Sequence, residues 1–254
     1  MAELEQACFL HDLSGEVATG CSRLYYGAEF CFWRLPSIDS MLAARTWARR
    51  QGLSFTLATP VLGEDERLRL DKLLQKVLPE LDADDEILIS DWGALELVRA
   101  VRDDLTIILG RALSGQKRGP RILDMTLTRE QLGYFQRGAW HNHEAIAMLV
   151  EQGISRVEQD NLVQGMAPLN EPLMGSLHIP YAMVTSSRIC PFRPSGASGP
   201  CARYCGEVFT LRSSETETLL YQDGNTQFLH NEHLPGHLSK LGINRIVKHP
   251  SMPS

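Results

Sequence analysis

Three of the six cysteines in this 254-residue chain fall in one short segment, at Cys190, Cys201 and Cys205. The segment, residues 188–205, reads RICPFRPSGASGPCARYC, and its prolines and glycines exclude a regular helix or a central strand. Such a loop offers no core in which thiols could be buried, so ordinary packing does not explain them. Thiolates hold zinc ions or iron–sulfur clusters, usually four to a site. The spacing C-x10-C-x3-C therefore predicts a metal site that still lacks one ligand.

The elements around this loop predict a TIM-barrel-like α/β fold. Short apolar runs at 22–27, 53–59, 86–90 and 105–110 indicate strands, and amphipathic stretches between them indicate helices. A later run, 179–185, is predicted to be a strand that leads directly into the cysteine loop. Repeated βα units form a parallel sheet, and a chemically distinctive loop after a strand favours a barrel over a doubly wound sheet. The remaining chain predicts antiparallel hairpins around a DGN turn, followed by a helix and a strand at INRIV.

We expect one barrel-like domain over residues 1–254, with helix caps at Ser37, Asp91 and Asn142. The cap at Asn142 makes the HNH motif at 141–143 a helix start rather than a metal site.

The fourth thiolate must come from Cys8, Cys21 or Cys31. Loops that follow the strands of a parallel barrel share one face, and Cys31 follows the strand predicted at 22–27. Cys21 precedes that strand, and Cys8 has no placement argument; we expect both to be ordinary buried cysteines. Topology therefore selects Cys31 as the partner of the cysteine loop. Trp33, two residues further on, would either shield a cofactor from solvent or pack against the barrel rim.

Other polar residues are predicted near the same face. The basic segment SGQKRGPR at 114–121 would either bind an anionic group or lie in solvent. Asp91, Glu158 and Asp160 follow predicted strands, where a carboxylate could serve as a base.

Composition limits the class of protein. The net charge is −6, which does not favour nucleic-acid binding. The N-terminal segment lacks the basic and apolar regions of a secretory signal, and no apolar run is long enough to span a membrane. We therefore expect a cytoplasmic protein, in which disulfides are rare and cysteines serve first as ligands, reactive thiols or packing.

The cysteine pattern resembles a known family. The first motif is a cysteine that follows a Tyr-Gly pair and precedes an arginine (Tyr26, Gly27, Cys31 and Arg34). The second is S-x-R-x-C (Ser186, Arg188 and Cys190), and the third is C-x3-C (Cys201 and Cys205). This order is similar to the collagenase-like peptidase family of unknown mechanism, and within it to the UbiV-type ubiquinone-biosynthesis branch. The C-terminal portion, from CGEVFTLRS to HLSKLGINRIV, continues the likeness.

The resemblance implies a 4Fe–4S cluster held by Cys31, Cys190, Cys201 and Cys205. It also implies oxygen-independent hydroxylation of an aromatic ubiquinone precursor, by a heterodimer with a related family member and with prephenate as oxygen source. Other branches hydroxylate bases in ribosomal or transfer RNA.

Four alternatives remain open from the sequence. The same thiolates suit zinc, the substrate could be an RNA base, and the chain could be a metal-stapled scaffold for a catalytic partner. A peptidase activity is the fourth, although no G-x-S-x-G elbow is present. The sequence leaves open the substrate, the residues that touch it, the oligomeric state and whether a cluster would be catalytic or structural.

Overall fold

The computed structural model describes residues 4–13, 19–188, 190–197, 199–202 and 204–253, and in these residues eight parallel strands close into a barrel. The barrel strands are β1 (Glu5–Leu10), β2 (Arg23–Gly27), β3 (Ser54–Ala58), β4 (Glu86–Ile89), β5 (Thr106–Leu109), β6 (Arg156–Asp160), β7 (Met174–Ile179) and β12 (Ile243–Lys248). Around the barrel the order is β1-β12-β7-β6-β5-β4-β3-β2. The predicted TIM-barrel-like fold is confirmed, and its closing strand is the INRIV segment.

Five α-helices of the described chain lie in the connections between β2 and β6. They are α1 (Ile38–Arg50), α2 (Glu64–Val77), α3 (Trp92–Val101), α4 (Arg129–Phe135) and α5 (His143–Glu151). The three predicted caps are confirmed, because the side chains of Ser37, Asp91 and Asn142 each accept a backbone N–H from the first turn of α1, α3 and α5. The apolar faces of the helices pack on the outside of the barrel in the main core.

A four-stranded antiparallel sheet is inserted between β7 and β12. Its strands are β8 (Tyr181–Ser186), β9 (Phe209–Ser213), β10 (Thr216–Asp223) and β11 (Thr226–His230), in the order β8-β11-β10-β9. The sequence predicted one strand over 179–185, but the structure divides it at Pro180. Proline has no N–H to donate to a ladder, so β7 ends at Ile179 and the chain enters the second sheet at Tyr181. The single-domain organisation stays a prediction.

The barrel interior is built in layers. Its middle is apolar and is formed by Ala7, Phe9, Tyr25, Ala58, Leu88, Ile108 and Val247. Below it, where the strands begin, two arginines alternate with two glutamates. Arg245 donates to both oxygens of Glu86, at 2.8 and 2.9 Å, and to Glu5 at 2.6 Å. Arg23 pairs with Glu5 at 2.7 Å. Each buried charge therefore has an opposite charge in contact, as burial requires.

The structure differs from the expectation of two unpaired cysteines near the N-terminus. Cys8 lies in β1, a strand that the sequence analysis missed, and Cys21 lies just before β2. Parallel pairing of β1 with β2 brings the two Cα atoms to 6.2 Å, and their sulfurs form a disulfide.

None of the helices in the described residues combines the length and apolar character that crossing a membrane demands.

Arg245 is expected to carry much of the stability of the lower layer. The change Arg245→Met removes the guanidinium that donates to both oxygens of Glu86 and leaves this buried carboxylate only one charged partner, Arg23 at 3.3 Å, so the free energy of unfolding should fall by about 3–5 kcal/mol. Equilibrium unfolding in urea measures it. The control is Arg121→Met, because Arg121 forms an exposed pair with Glu215 and should change stability by about 0–1 kcal/mol. Equal losses in the two variants would contradict this account.

Glu5 should make the barrel sensitive to acid. Burial raises its pKa, but Arg245 and Arg23 outweigh that effect and hold the pKa below the ordinary value of 4.5. A depressed pKa contributes stability above the ordinary value and loses it as the pH falls through the folded-state value. The stability advantage of the native chain over Glu5→Gln should therefore shrink below about pH 4.5. Urea unfolding across pH measures it, with the exposed Glu207→Gln as control; a constant advantage would refute the assignment.

Candidate functional site

Four unpaired cysteines line one small cavity between the barrel and the antiparallel sheet, which we name the thiol cavity. Its volume is about 40 Å³ and its lining residues are Cys31, Trp33, Arg34, Cys190, Phe192, Arg193, Cys201, Tyr204, Cys205, Gly224 and Asn225. All four thiols are free and half-buried. The structure thus brings together the three cysteines of the loop and Cys31; that they bind a cofactor stays a prediction.

The turn after β2 positions Cys31. Gly27 ends the strand with φ of 139°, and a Cβ there would lie 2.2 Å from the carbonyl oxygen of Ala58. Only glycine allows this approach, so the chain can turn from the barrel wall toward the sheet. The backbone N–H of Arg34 donates to the carbonyl oxygen of Cys31 at 3.1 Å and so fixes the turn, while burial raises the pKa of the Cys31 thiol.

Arg34 joins this turn to the other side of the cavity. Its guanidinium donates to the sulfur of Cys205 at 3.2 Å and to the carboxylate of Asp223 at 2.6 Å. The Asn225 amide adds a second tie, because it donates to the carbonyl oxygens of Phe30 and Ser187, both at 2.8 Å. The hairpin between β10 and β11 thereby fixes both cysteine-bearing segments at once.

Cationic and aromatic side chains surround the cavity. The Trp33 ring contacts two guanidinium groups, since the Cζ atoms of Arg69 and Arg193 lie 5.0 and 5.5 Å from its centroid. Trp33 therefore lies in the wall of the thiol cavity.

The sulfurs are spread around the cavity rather than gathered at one point. Among the described residues, no three of them lie within 4.8 Å of one another. Four thiolates on one zinc ion would lie about 3.8 Å apart, given Zn–S bonds of about 2.3 Å in a tetrahedron. The observed spread is wider than a single ion requires.

The other predicted polar residues have different surroundings. Asp91 caps α3 and pairs with Arg188 at 2.9 Å, so both are held in structural contacts. In the basic segment, Arg118 folds against the barrel and pairs with Asp160 at 2.7 Å instead of lying in solvent. Lys117 contacts the ring of Tyr134 at 4.3 Å.

Asp160 lies at the carboxyl end of β6, where ionic contacts close the barrel. It is fully buried and also accepts from Arg111 at 3.0 Å and from the backbone of Met183 at 2.8 Å. Burial raises its pKa, but Arg118 and Arg111 outweigh that effect and the pKa of this carboxyl is lowered. Arg111 also pairs with the buried Glu29. Asp160 is thus an ionised structural carboxylate.

A second polar group at the carboxyl end of the barrel escaped the sequence analysis. Glu29, His178 and His249 are all buried and offer ligand atoms within 4.8 Å of one another. His178 contacts His249 through Nδ1 and Nε2 at 2.7 Å, and its own Nε2 contacts Glu158 at 2.6 Å. In the sequence, this group could have been recognised only from a histidine within the mostly apolar strand β7 and a second histidine directly after β12.

Comparison with known proteins shows that the fold is similar to that of a solved structure. No family model and no curated protein matches the sequence. A solved structure described as the U32 peptidase Mk0906 is similar with a TM-score of 0.50 at 10% identity, over 100% of this chain and 96% of that one. At this identity the likeness shows the fold alone.

Asn225 should control access to the thiol cavity. The change Asn225→Ala removes the amide that donates to the carbonyl oxygens of Phe30 and Ser187, which costs about 1–3 kcal/mol and loosens both cysteine-bearing segments. We expect faster alkylation of Cys31 and Cys190, read residue by residue by mass spectrometry. Asn142→Ala is the matched control, because Asn142 caps the start of α5, does not line the thiol cavity, and its loss costs about 1 kcal/mol. If both variants raise the alkylation rates alike, general destabilisation explains the effect.

Proposed function

We propose that this chain is an iron–sulfur protein that takes part in the oxygen-independent hydroxylation of an aromatic substrate. Cys31, Cys190, Cys201 and Cys205 would hold a 4Fe–4S cluster, as one subunit of a heterodimer with a related protein. The observation that carries the proposal is the thiol cavity itself. Four free thiols, from two segments that are distant in the sequence, line this one cavity.

The donor set fits such a cluster chemically. Cysteine thiolates are its usual protein ligands, and hydrogen bonds to their sulfurs help set its potential. This chain supplies such a donor, because Arg34 donates to the sulfur of Cys205. Arg193 and Arg34 place positive charge beside thiolates that would otherwise repel one another. Trp33 and Phe192 line the cavity and would shield a bound cluster from water.

The spread of the sulfurs favours a cluster over one zinc ion. A cluster presents separate iron atoms to its four ligands and so accommodates wider sulfur spacing than a single tetrahedral ion. When bound, a cluster of this type supplies one-electron chemistry. The residues of the chain would bind the cluster, neutralise its charge and shield it from water.

The substrate class rests on the resemblance of the cysteine motifs to the UbiV-type branch. It indicates a ubiquinone precursor with prephenate as oxygen donor, and a partner from the same family. The name of the similar solved structure points instead to peptide hydrolysis, an alternative that the same preparation can test.

Purification without air, followed by iron, sulfide and zinc analysis, tests the cofactor. We expect a brown protein with about equal iron and sulfide, as a 4Fe–4S cluster requires. Cys201→Ala should lose the iron and the hydroxylation of the precursor together. The double variant Cys8→Ala/Cys21→Ala should keep both, because these cysteines are paired with each other in the barrel wall.

Three results would overturn the proposal. A colourless native protein with one zinc would make the thiol site structural. Hydroxylation that survives in iron-free Cys201→Ala would remove the cluster from the reaction. Cleavage of unstructured peptides by the pure native chain, without hydroxylation, would favour the peptidase alternative.

A further inference from the structure

We propose that Glu29, His178 and His249 form a second metal site, which binds one divalent transition-metal ion inside the carboxyl end of the barrel. It is separate from the thiol cavity, whose lining includes none of the three residues. We call it the barrel site. It does not depend on the proposed iron–sulfur function.

The ligand types and their closeness are the first support. Two imidazoles and a carboxylate are a donor set used for zinc and for non-haem iron, and here their ligand atoms lie within 4.8 Å of one another. Each residue comes from a different strand end of the barrel: Glu29 follows β2, His178 is in β7 and His249 follows β12. In barrels of this kind, the carboxyl ends of the strands are where functional groups converge.

An unsatisfied nitrogen is the second, independent support. Nδ1 of His249 has no hydrogen-bond partner, although the residue is only 3% exposed. Buried polar atoms are nearly always paired, so an orphaned ring nitrogen beside a carboxylate and a second imidazole points to a missing ligand.

The surroundings of His178 match those of a metal-bound histidine. Its Nε2 contacts the buried carboxylate of Glu158, which in turn accepts from the Tyr25 hydroxyl at 3.0 Å. A carboxylate behind a histidine fixes the ring and leaves the other nitrogen directed at a metal. In this structure that other nitrogen, Nδ1, contacts Nε2 of His249 at 2.7 Å; a metal ion held by His178 would replace this contact, and Nδ1 of His249 has no partner.

Glu29 keeps free coordination positions beside its arginine. Its carboxylate is buried and pairs with Arg111. Arg111 does not exhaust Glu29, because two carboxylate oxygens offer about four lone-pair positions.

Anomalous diffraction from crystals of the whole chain soaked in Zn²⁺ tests the location directly. We expect a zinc peak between Glu29, His178 and His249, in addition to any peak at the thiols. Density at the thiols alone, or at neither place, would overturn the proposal. This test needs no variant and distinguishes the barrel site from the cysteines, so it is independent of the iron–sulfur proposal.

Binding in solution supplies the second test. In a chain with all four cavity cysteines changed to Ser, Zn²⁺ should still bind at one equivalent and raise the melting temperature. Glu29→Gln and His249→Ala should abolish the rise, and Glu158→Gln should weaken binding about 10- to 100-fold, as loss of a histidine's carboxylate partner does. His143→Ala is the matched control, because that exposed histidine begins α5 on the outside of the barrel. Zinc binding that all these variants share would refute the site, as would its absence from a folded parent chain.

Discussion

The carboxylate of Asp160 holds together three parts of the chain at the carboxyl end of the barrel. It accepts from Arg111 after β5, from Arg118 in the basic segment and from the backbone of Met183 in β8. Without it, Arg118 would lose its carboxylate partner and Arg111 would keep only Glu29, and an uncompensated buried charge is among the costliest arrangements in a protein. Because one of its three donors belongs to the antiparallel sheet, this carboxylate also links the sheet to the barrel.

The thiol cavity depends on that attachment. One of its walls follows β2, and the others are the segment after β8 and the β10–β11 hairpin. None of these segments contains enough apolar surface to form a core alone; Phe30, Met183 and Phe228 make the small cluster that joins them. The cavity is thus assembled between two sheets rather than within one, and its geometry follows from how Asp160 and this cluster set their contact.

The sequence predicted what periodicity and caps encode locally. The four strands from 22 to 110, the helices between them and three caps were found because each carries its pattern within a few residues. The sequence also indicated that Cys31 lies beside the cysteine loop, and the two do line one cavity, but the reason given was wrong, because that loop follows β8 of the antiparallel sheet and not a parallel barrel strand. What it did not predict depends on distant partners: β1 pairs with β12 across almost the whole chain, and Pro180 divides a continuous apolar run between two sheets. Glu29, His178 and His249 likewise lack a common local pattern, because only barrel closure brings them together.

Residues 27–34 show why the two candidate sites are neighbours. After the turn at Gly27, Glu29 enters the barrel end and pairs with Arg111, Phe30 packs with the sheet, and Cys31 lines the thiol cavity. Three consecutive side chains therefore lie in three different environments, and each contacts a different part of the fold. A shift of one residue in one direction would move a carboxylate to the apolar contact with the sheet, and a shift in the other direction would move a phenyl ring to the ionic end of the barrel. The spacing from Gly27 to Arg34 is thus constrained by packing and charge together.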